Sequence, residues 1–126
     1  MTVNAELTKD AYAALNRGDF EWLVQHSDPG VEMRFRGVAG EPVLYVGAEG
    51  IREYFHDIAE IWDSIEYFPE TIHDLGDRTV TVVRRRLRGK QSGLTLEDTI
   101  VCACELRSGL VSQVCVYRDV DEALAG

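Results

Sequence analysis

The chain has 126 residues, 45% of them hydrophobic and 28% charged, which is long enough and apolar enough to bury a core without disulfides or a structural metal. Thirteen Lys and Arg stand against 22 Asp and Glu, a formal net charge of −9, so the overall field repels phosphate backbones and anionic lipid and argues against nucleic-acid or membrane partners. No apolar run approaches the roughly 20 residues of a membrane span, which excludes a transmembrane reading.

In chain order, the start Met1-Thr2-Val3-Asn4-Ala5-Glu6 lacks a basic segment followed by an apolar one, so it is not read as a signal peptide and a cytoplasmic location is expected. Asn4 is placed to cap a helix reaching about Asn16, with Leu7, Ala11, Ala14 and Leu15 on one face and Gly18 as its left-handed stop. Asp19 caps a short second helix carrying Phe20, Leu23 and Val24, which Asp28-Pro29-Gly30 breaks. Val31, Met33 and Phe35 then alternate with Glu32, Arg34 and Arg36 as a half-buried strand does. From Glu49 to about Ser64, the residues Ile51, Phe55, Ile58 and Trp62 recur at helical spacing, flanked by Tyr54 and Ile61. Segments of strand character follow at about 65–74, 78–88, 94–106 and 110–119, the last two joined by a turn at Ser108-Gly109. Helices followed by strands predict an α+β fold over residues 1–126 as one domain, with three helices against one face of a curved antiparallel sheet.

Cys102, Cys104 and Cys115 show no CxxC spacing and no neighbouring histidine pair, so neither a metal site nor a disulfide framework is expected and no cofactor is implied. His26, His56 and His73 lie in three separate elements and read as structural, His56 being the one best placed to reach a pocket. Alternation along Arg84-Arg85-Arg86-Leu87-Arg88 sends Arg84, Arg86 and Arg88 to one face and Arg85 to the other. The outer face reads as solvated or as a subunit contact.

Several local phrases in this order resemble one family. Ala13-Ala14-Leu15-Asn16-Arg17-Gly18-Asp19, Tyr45-Val46-Gly47 before Gly50-Ile51-Arg52-Glu53-Tyr54-Phe55, Gly76-Asp77-Arg78, and Tyr117-Arg118-Asp119 before Glu122-Ala123-Leu124 are similar to the SnoaL-like branch of the nuclear transport factor two-like superfamily. The resemblance implies a cone, a bent sheet wrapped around a pocket that helices close, and it leaves function open because the fold hosts enzymes and binding modules alike. The residues that ketosteroid isomerases use fall on Ala11, near Met33 and near Cys102, and all three are missing. Against limonene-epoxide hydrolases, one aspartate falls on Asp119 and the bridging arginine at or beside Arg85, but the second aspartate falls on Leu87. Against SnoaL-type polyketide cyclases, Asp119 and Asp98 both match an acid on a late strand.

Strand arithmetic gives a separate expectation. A two-residue turn at Ser108-Gly109 opposes Leu106 to Val111, Cys102 to Cys115, Ile100 to Tyr117 and Asp98 to Asp119. A four-residue loop at 90–93 opposes Arg85 to Asp98 and Val83 to Ile100. Arg85, Asp98 and Asp119 then form one row across three strands, on the pocket side if the odd-numbered face of the last strand points inward as the resemblance implies. Two carboxylates about 5 Å apart beside an arginine suit acid/base work, one ionised and the other holding its proton. The plainer alternative is a solvated ion pair at strand ends.

The expectation is therefore a cofactor-independent acid/base enzyme of cyclase, isomerase or hydrolase type, with Asp119, Asp98 and Arg85 as catalytic residues. A small apolar oxygenated molecule would contact Met33, Phe35, Phe55, Cys102, Cys115 and Tyr117, in a cavity also walled by Val31, Val83 and Ile100. The alternative is a non-catalytic binding or dimerisation module of the same fold. A homodimer is expected through an outer sheet face carrying Val101, Ala103, Val114 and Val116 beside Arg84 and Arg86.

Overall fold

The computed structural model describes residues 2–36 and 40–125; Met1, the first residue of the leader reading, and Gly126 lie outside them. The elements are α1 (Val3–Asn16), α2 (Phe20–Gln25), β1 (Ser27–Arg36), β2 (Pro42–Val46), α3 (Gly47–Ile61), β3 (Trp62–Asp74), β4 (Arg78–Gly89), β5 (Thr95–Arg107), β6 (Leu110–Tyr117) and α4 (Val120–Ala125). Six strands form one curved sheet in the order β2-β1-β6-β5-β4-β3. The sheet is mixed, because β1 runs parallel to β6 while every other pair is antiparallel.

Local chemistry sets the helix ends. Thr2, not Asn4, caps α1: its hydroxyl accepts from the Ala5 N–H at 3.1 Å, while the Asn4 amide donates to the Gly76 carbonyl at 2.8 Å. Asp19 caps α2 by accepting from the Trp22 N–H, as its position predicts. The third helix stops at Ile61 rather than near Ser64, since Trp62 has φ −115° and ψ 131° and opens β3. At Gly50 a Cβ would come within 2.9 Å of the Tyr45 carbonyl carbon, so glycine alone lets β2 run this close to α3.

Alternation on β4 sorts the two faces of the sheet. Thr79, Thr81, Val83, Arg85 and Leu87 look inward, under α1 and α3, where a buried hydroxyl pair, Thr8 to Thr79 at 2.9 Å, docks α1. Val80 looks outward and packs with Val101, Ala103 and Ala123 of α4. Two further apolar clusters lie inside: Tyr12, Tyr67 and Val83, and Val31, Met33 and Ile51 with Phe35, Tyr54, Phe55 and Val114 around them.

Register corrects one sequence expectation. Ser108 and Gly109 do form the two-residue turn, with φ of 55° and 78°, and Leu106 opposes Val111. One residue later Ser112 is an extra residue in β6, so Glu105 pairs with Gln113, Cys104 with Val114, Cys102 with Val116 and Val101 with Tyr117. The Ser112 hydroxyl donates to the Glu105 carbonyl at 3.2 Å, across the bulge. Every side chain beyond such a bulge changes face. The other hairpin keeps its expected register, with Arg85 opposite Asp98 and Val83 opposite Ile100.

Candidate functional site

A cavity of about 680 Å³ fills the concave side of the sheet beneath α1 and α3. Its wall includes Val31, Met33, Phe35, Phe55, Cys102 and Ile100, while the bulge moves Cys115 out of it. Cys115 pairs with Ala103, on the outer face, and Val114 and Val116 take the inward positions on β6. Tyr117 touches the cavity edge, but its side chain packs with the outer cluster of Val80, Val101, Ala103 and Ala123. The same shift removes the apolar strip expected at a dimer contact: Val101 and Ala103 are covered by α4 of the same chain, and Val114 and Val116 are inside. Beside them, Arg84 pairs with Glu97 and Glu70, and Arg86 with Glu97 and Glu66.

A charged row exists, with a different third member. Strand pairing places Tyr67, Arg85 and Asp98 side by side across β3, β4 and β5. Arg85 donates through Nε to Asp98 Oδ1 at 2.9 Å and through Nη2 to Oδ2 at 2.6 Å, a fork-on-carboxylate geometry that leaves both Nη1 protons and one on Nη2 outside the pair. Arg85 lines the cavity and is 22% exposed at its side chain, against 43% for Asp98. Burial opposes the charge on Arg85, but the hydrogen bonds and charge of Asp98 more than offset it, so its pKa is raised and the guanidinium stays cationic. Asp119 stands apart from this row. Its carboxylate accepts from the Glu122 N–H at 2.8 Å and caps α4, which overturns the expected pairing with Asp98.

Two phenols, Tyr54 and Tyr67, neighbour the guanidinium. The Tyr54 and Tyr67 hydroxyls lie 3.3 Å apart, and Tyr12 packs its ring 6.2 Å from that of Tyr67. Asn16 at the end of α1 positions Tyr67 through a two-way bond, its amide donating to the Tyr67 carbonyl at 2.8 Å and accepting from the Tyr67 N–H at 2.7 Å. Burial raises the pKa of Tyr12 and of Tyr54 well above the ordinary tyrosine value, and of Tyr67 as well, in the last case against the pull of Tyr54 and Arg85. All three remain neutral donors at physiological pH. Burial likewise pushes up the Cys102 thiol, and the Cys104 thiol to about 12, so neither is a ready nucleophile. Elsewhere on the wall, the Tyr45 hydroxyl donates to Asp57 at 2.7 Å.

The histidines stay out of the site. His26 stacks on Trp22 at 3.9 Å, and His56, the histidine best placed by sequence to approach a pocket, lies in solvent, ion-paired with Glu60. Among the described residues, no group of three or more His, Cys, Asp or Glu side chains is arranged to hold a metal ion, and no helix is long and apolar enough to cross a membrane.

With this geometry, residues 8–114 match the SnoaL-like domain family. The chain belongs to the SnoaL-like family. No curated protein matches it. Among solved structures, an NTF2-like protein of unknown function from Burkholderia pseudomallei K96243 superposes with a TM-score of 0.84 at 16% identity, covering 99% of this chain and 97% of the other. TerC co-crystallised with polyporic acid gives 0.82 at 21% identity, covering 98% and 96%. An NTF2-like protein from Burkholderia xenovorans LB400 gives 0.75 at 28% identity, covering 98% and 93%. These likenesses show an NTF2-like fold, within which Tyr67, Tyr45 and Asp57 are polar wall residues that the sequence reading missed. Tyr54 was legible as part of the helical stripe. Tyr67 was hidden because the β3–β4 register set by the turn at Gly76-Asp77 shifts between Pro69 and Thr71, and Tyr45 lay in a five-residue strand behind Pro42.

Proposed function

We propose that this SnoaL-like chain takes a small, largely apolar, oxygenated molecule into the cone and holds one of its oxygens at Arg85, Tyr54 and Tyr67. The observation that carries this reading is the cationic guanidinium, with three N–H bonds not engaged among the described residues, set beside two neutral phenols in a largely apolar wall. Such donors in a site of low polarity favour a ligand oxygen that bears or develops negative charge, and the apolar wall supplies the rest of the affinity. TerC, of the same fold, was co-crystallised with polyporic acid, in keeping with small-molecule binding.

Turnover without a cofactor is the second reading, favoured by the Asp98 carboxylate bonded to Arg85, although Arg85 lines the cavity and Asp98 is not among its lining residues. Arg85 would stabilise an oxyanion, and Asp98 would orient Arg85 or exchange a proton. The pair of facing carboxylates expected for acid/base work is not assembled, which puts binding first. A cytoplasmic location fits the three free cysteines. A homodimer through the face of Arg84 and Arg86 is part of this proposal; a monomer by light scattering at micromolar concentration would exclude it.

The test is titration with 2-naphthoate and its neutral isostere 2-naphthamide, followed by intrinsic fluorescence. The carboxylate should bind more tightly, and Arg85→Met should remove that advantage while leaving 2-naphthamide affinity intact. Equal affinity of the wild-type chain for both probes, or no binding of either, would refute the reading.

A further inference from the structure

The inward face of α3 carries a second polar group that the Arg85 pole does not use. Tyr54, Ile58 and Ile61 line the cavity from this face, and Asp57 sits among them, three residues after Tyr54 and four before Ile61. A carboxylate in an apolar stripe is costly unless it has partners. Its Oδ2 accepts from the Tyr45 hydroxyl at 2.7 Å, which leaves Oδ1 and further lone pairs for another donor. Asp57 is half-buried, and no ion pair among the described residues engages it.

Aromatic packing holds the pair in place. The Tyr45 ring meets that of Tyr54 edge-on at 5.6 Å, and Phe35 stacks on Tyr54 at 4.8 Å. The close approach of β2 at Gly50 lays Tyr45 along α3, so that its hydroxyl reaches two turns further to Asp57. The cavity thus has donors at Arg85, Tyr67 and Tyr54 and, three residues further along α3, an acceptor at Asp57.

We infer that Asp57 is a specificity-determining subsite that selects ligands carrying a hydroxyl group in addition to the oxygen held by Arg85. The substrate class is then a hydroxylated, largely apolar acid or enol. Only a ligand that carries a donor can add a hydrogen bond to this carboxylate, and charge-assisted bonds of this kind are the strong ones. This inference rests on the function proposed above.

Affinities of 2-naphthoate and of its 5-, 6-, 7- and 8-hydroxy derivatives test it in the full chain. At least one isomer should bind about tenfold more tightly than 2-naphthoate. Asp57→Leu should abolish that preference while leaving 2-naphthoate affinity within about twofold. Tyr45→Phe frees the carboxylate without removing it and should retain the preference. Absence of any preferred isomer, or a preference that survives Asp57→Leu, overturns the inference while leaving the Arg85 pole standing. Loss of the preference in Tyr45→Phe as well as in Asp57→Leu also overturns it, since the pair is then a strut between β2 and α3. Failure of 2-naphthoate to bind removes both readings.

Discussion

Replacing Asp98 by Asn separates stability from binding, and the two should move in opposite directions. The forked pair at 2.9 and 2.6 Å contributes charge-assisted hydrogen bonds of about 1.5–3 kcal/mol where buried, and about 0.2–1 kcal/mol where exposed. With side-chain exposures of 22% and 43% the site falls between these limits, and we expect a loss of about 1–2 kcal/mol, or about 4–9 °C in Tm for a chain of this size. The guanidinium, however, loses its competitor. A ligand carboxylate no longer shares Arg85 with Asp98 or feels its like charge, so 2-naphthoate should bind about 5–10-fold more tightly to Asp98→Asn, with 2-naphthamide little changed. Calorimetric Tm and fluorescence titration on the same samples check both halves. A variant that loses stability and also binds the carboxylate more weakly would refute the argument that the ligand and Asp98 compete for the same cation.

Three other substitutions probe the frame. Gly50→Ala, which would gain about 1 kcal/mol from helix propensity alone, should instead destabilise by about 1–3 kcal/mol in urea unfolding, because the new Cβ would lie 2.9 Å from the backbone of Tyr45. Asp119→Ala should cost about 1 kcal/mol as a lost cap of α4, with naphthoate affinity unchanged by titration. Asp74 has its pKa lowered by the Thr2 hydroxyl first and the Gly76 N–H second; it therefore stabilises the fold above its unfolded value of 3.8 and loses that contribution as pH falls through the lowered folded value. Asp74→Asn should accordingly show a smaller drop in Tm than the unaltered chain between pH 6 and pH 2.

The α1, α2 and α3 helices and the β4–β5 register were legible because each rests on local chemistry: caps, a helical stripe, and a loop length that sets which residues face one another; β2 and α4 were not anticipated. Arg85 and Asp98 were found that way. What failed was parity past Ser112, where a single extra residue, bonded to the Glu105 carbonyl, exchanges Cys115 and Tyr117 for Val114 and Val116 on the inner face. No pattern of apolar and polar residues marks that bulge, since Val114, Cys115, Val116 and Tyr117 are apolar on both faces. The parallel pairing of β1 with β6 was equally hidden, because it joins segments about 80 residues apart. Tyr67 joined the charged row through a pairing that the sequence could not register.

Occupation of the cone is measured most directly by the intermolecular nuclear Overhauser contacts made by bound 2-naphthoate in a chain labelled at Met, Ile and Val methyls and arginine side chains. Occupation of the cone predicts contacts from the naphthalene ring to the Met33, Ile51 and Val114 methyls, together with a shift of the Arg85 Nε–H signal that saturates with the ligand. Contacts confined to the outer face at Val80, Val101 or Val120, or an Arg85 signal unmoved at saturation, would contradict it.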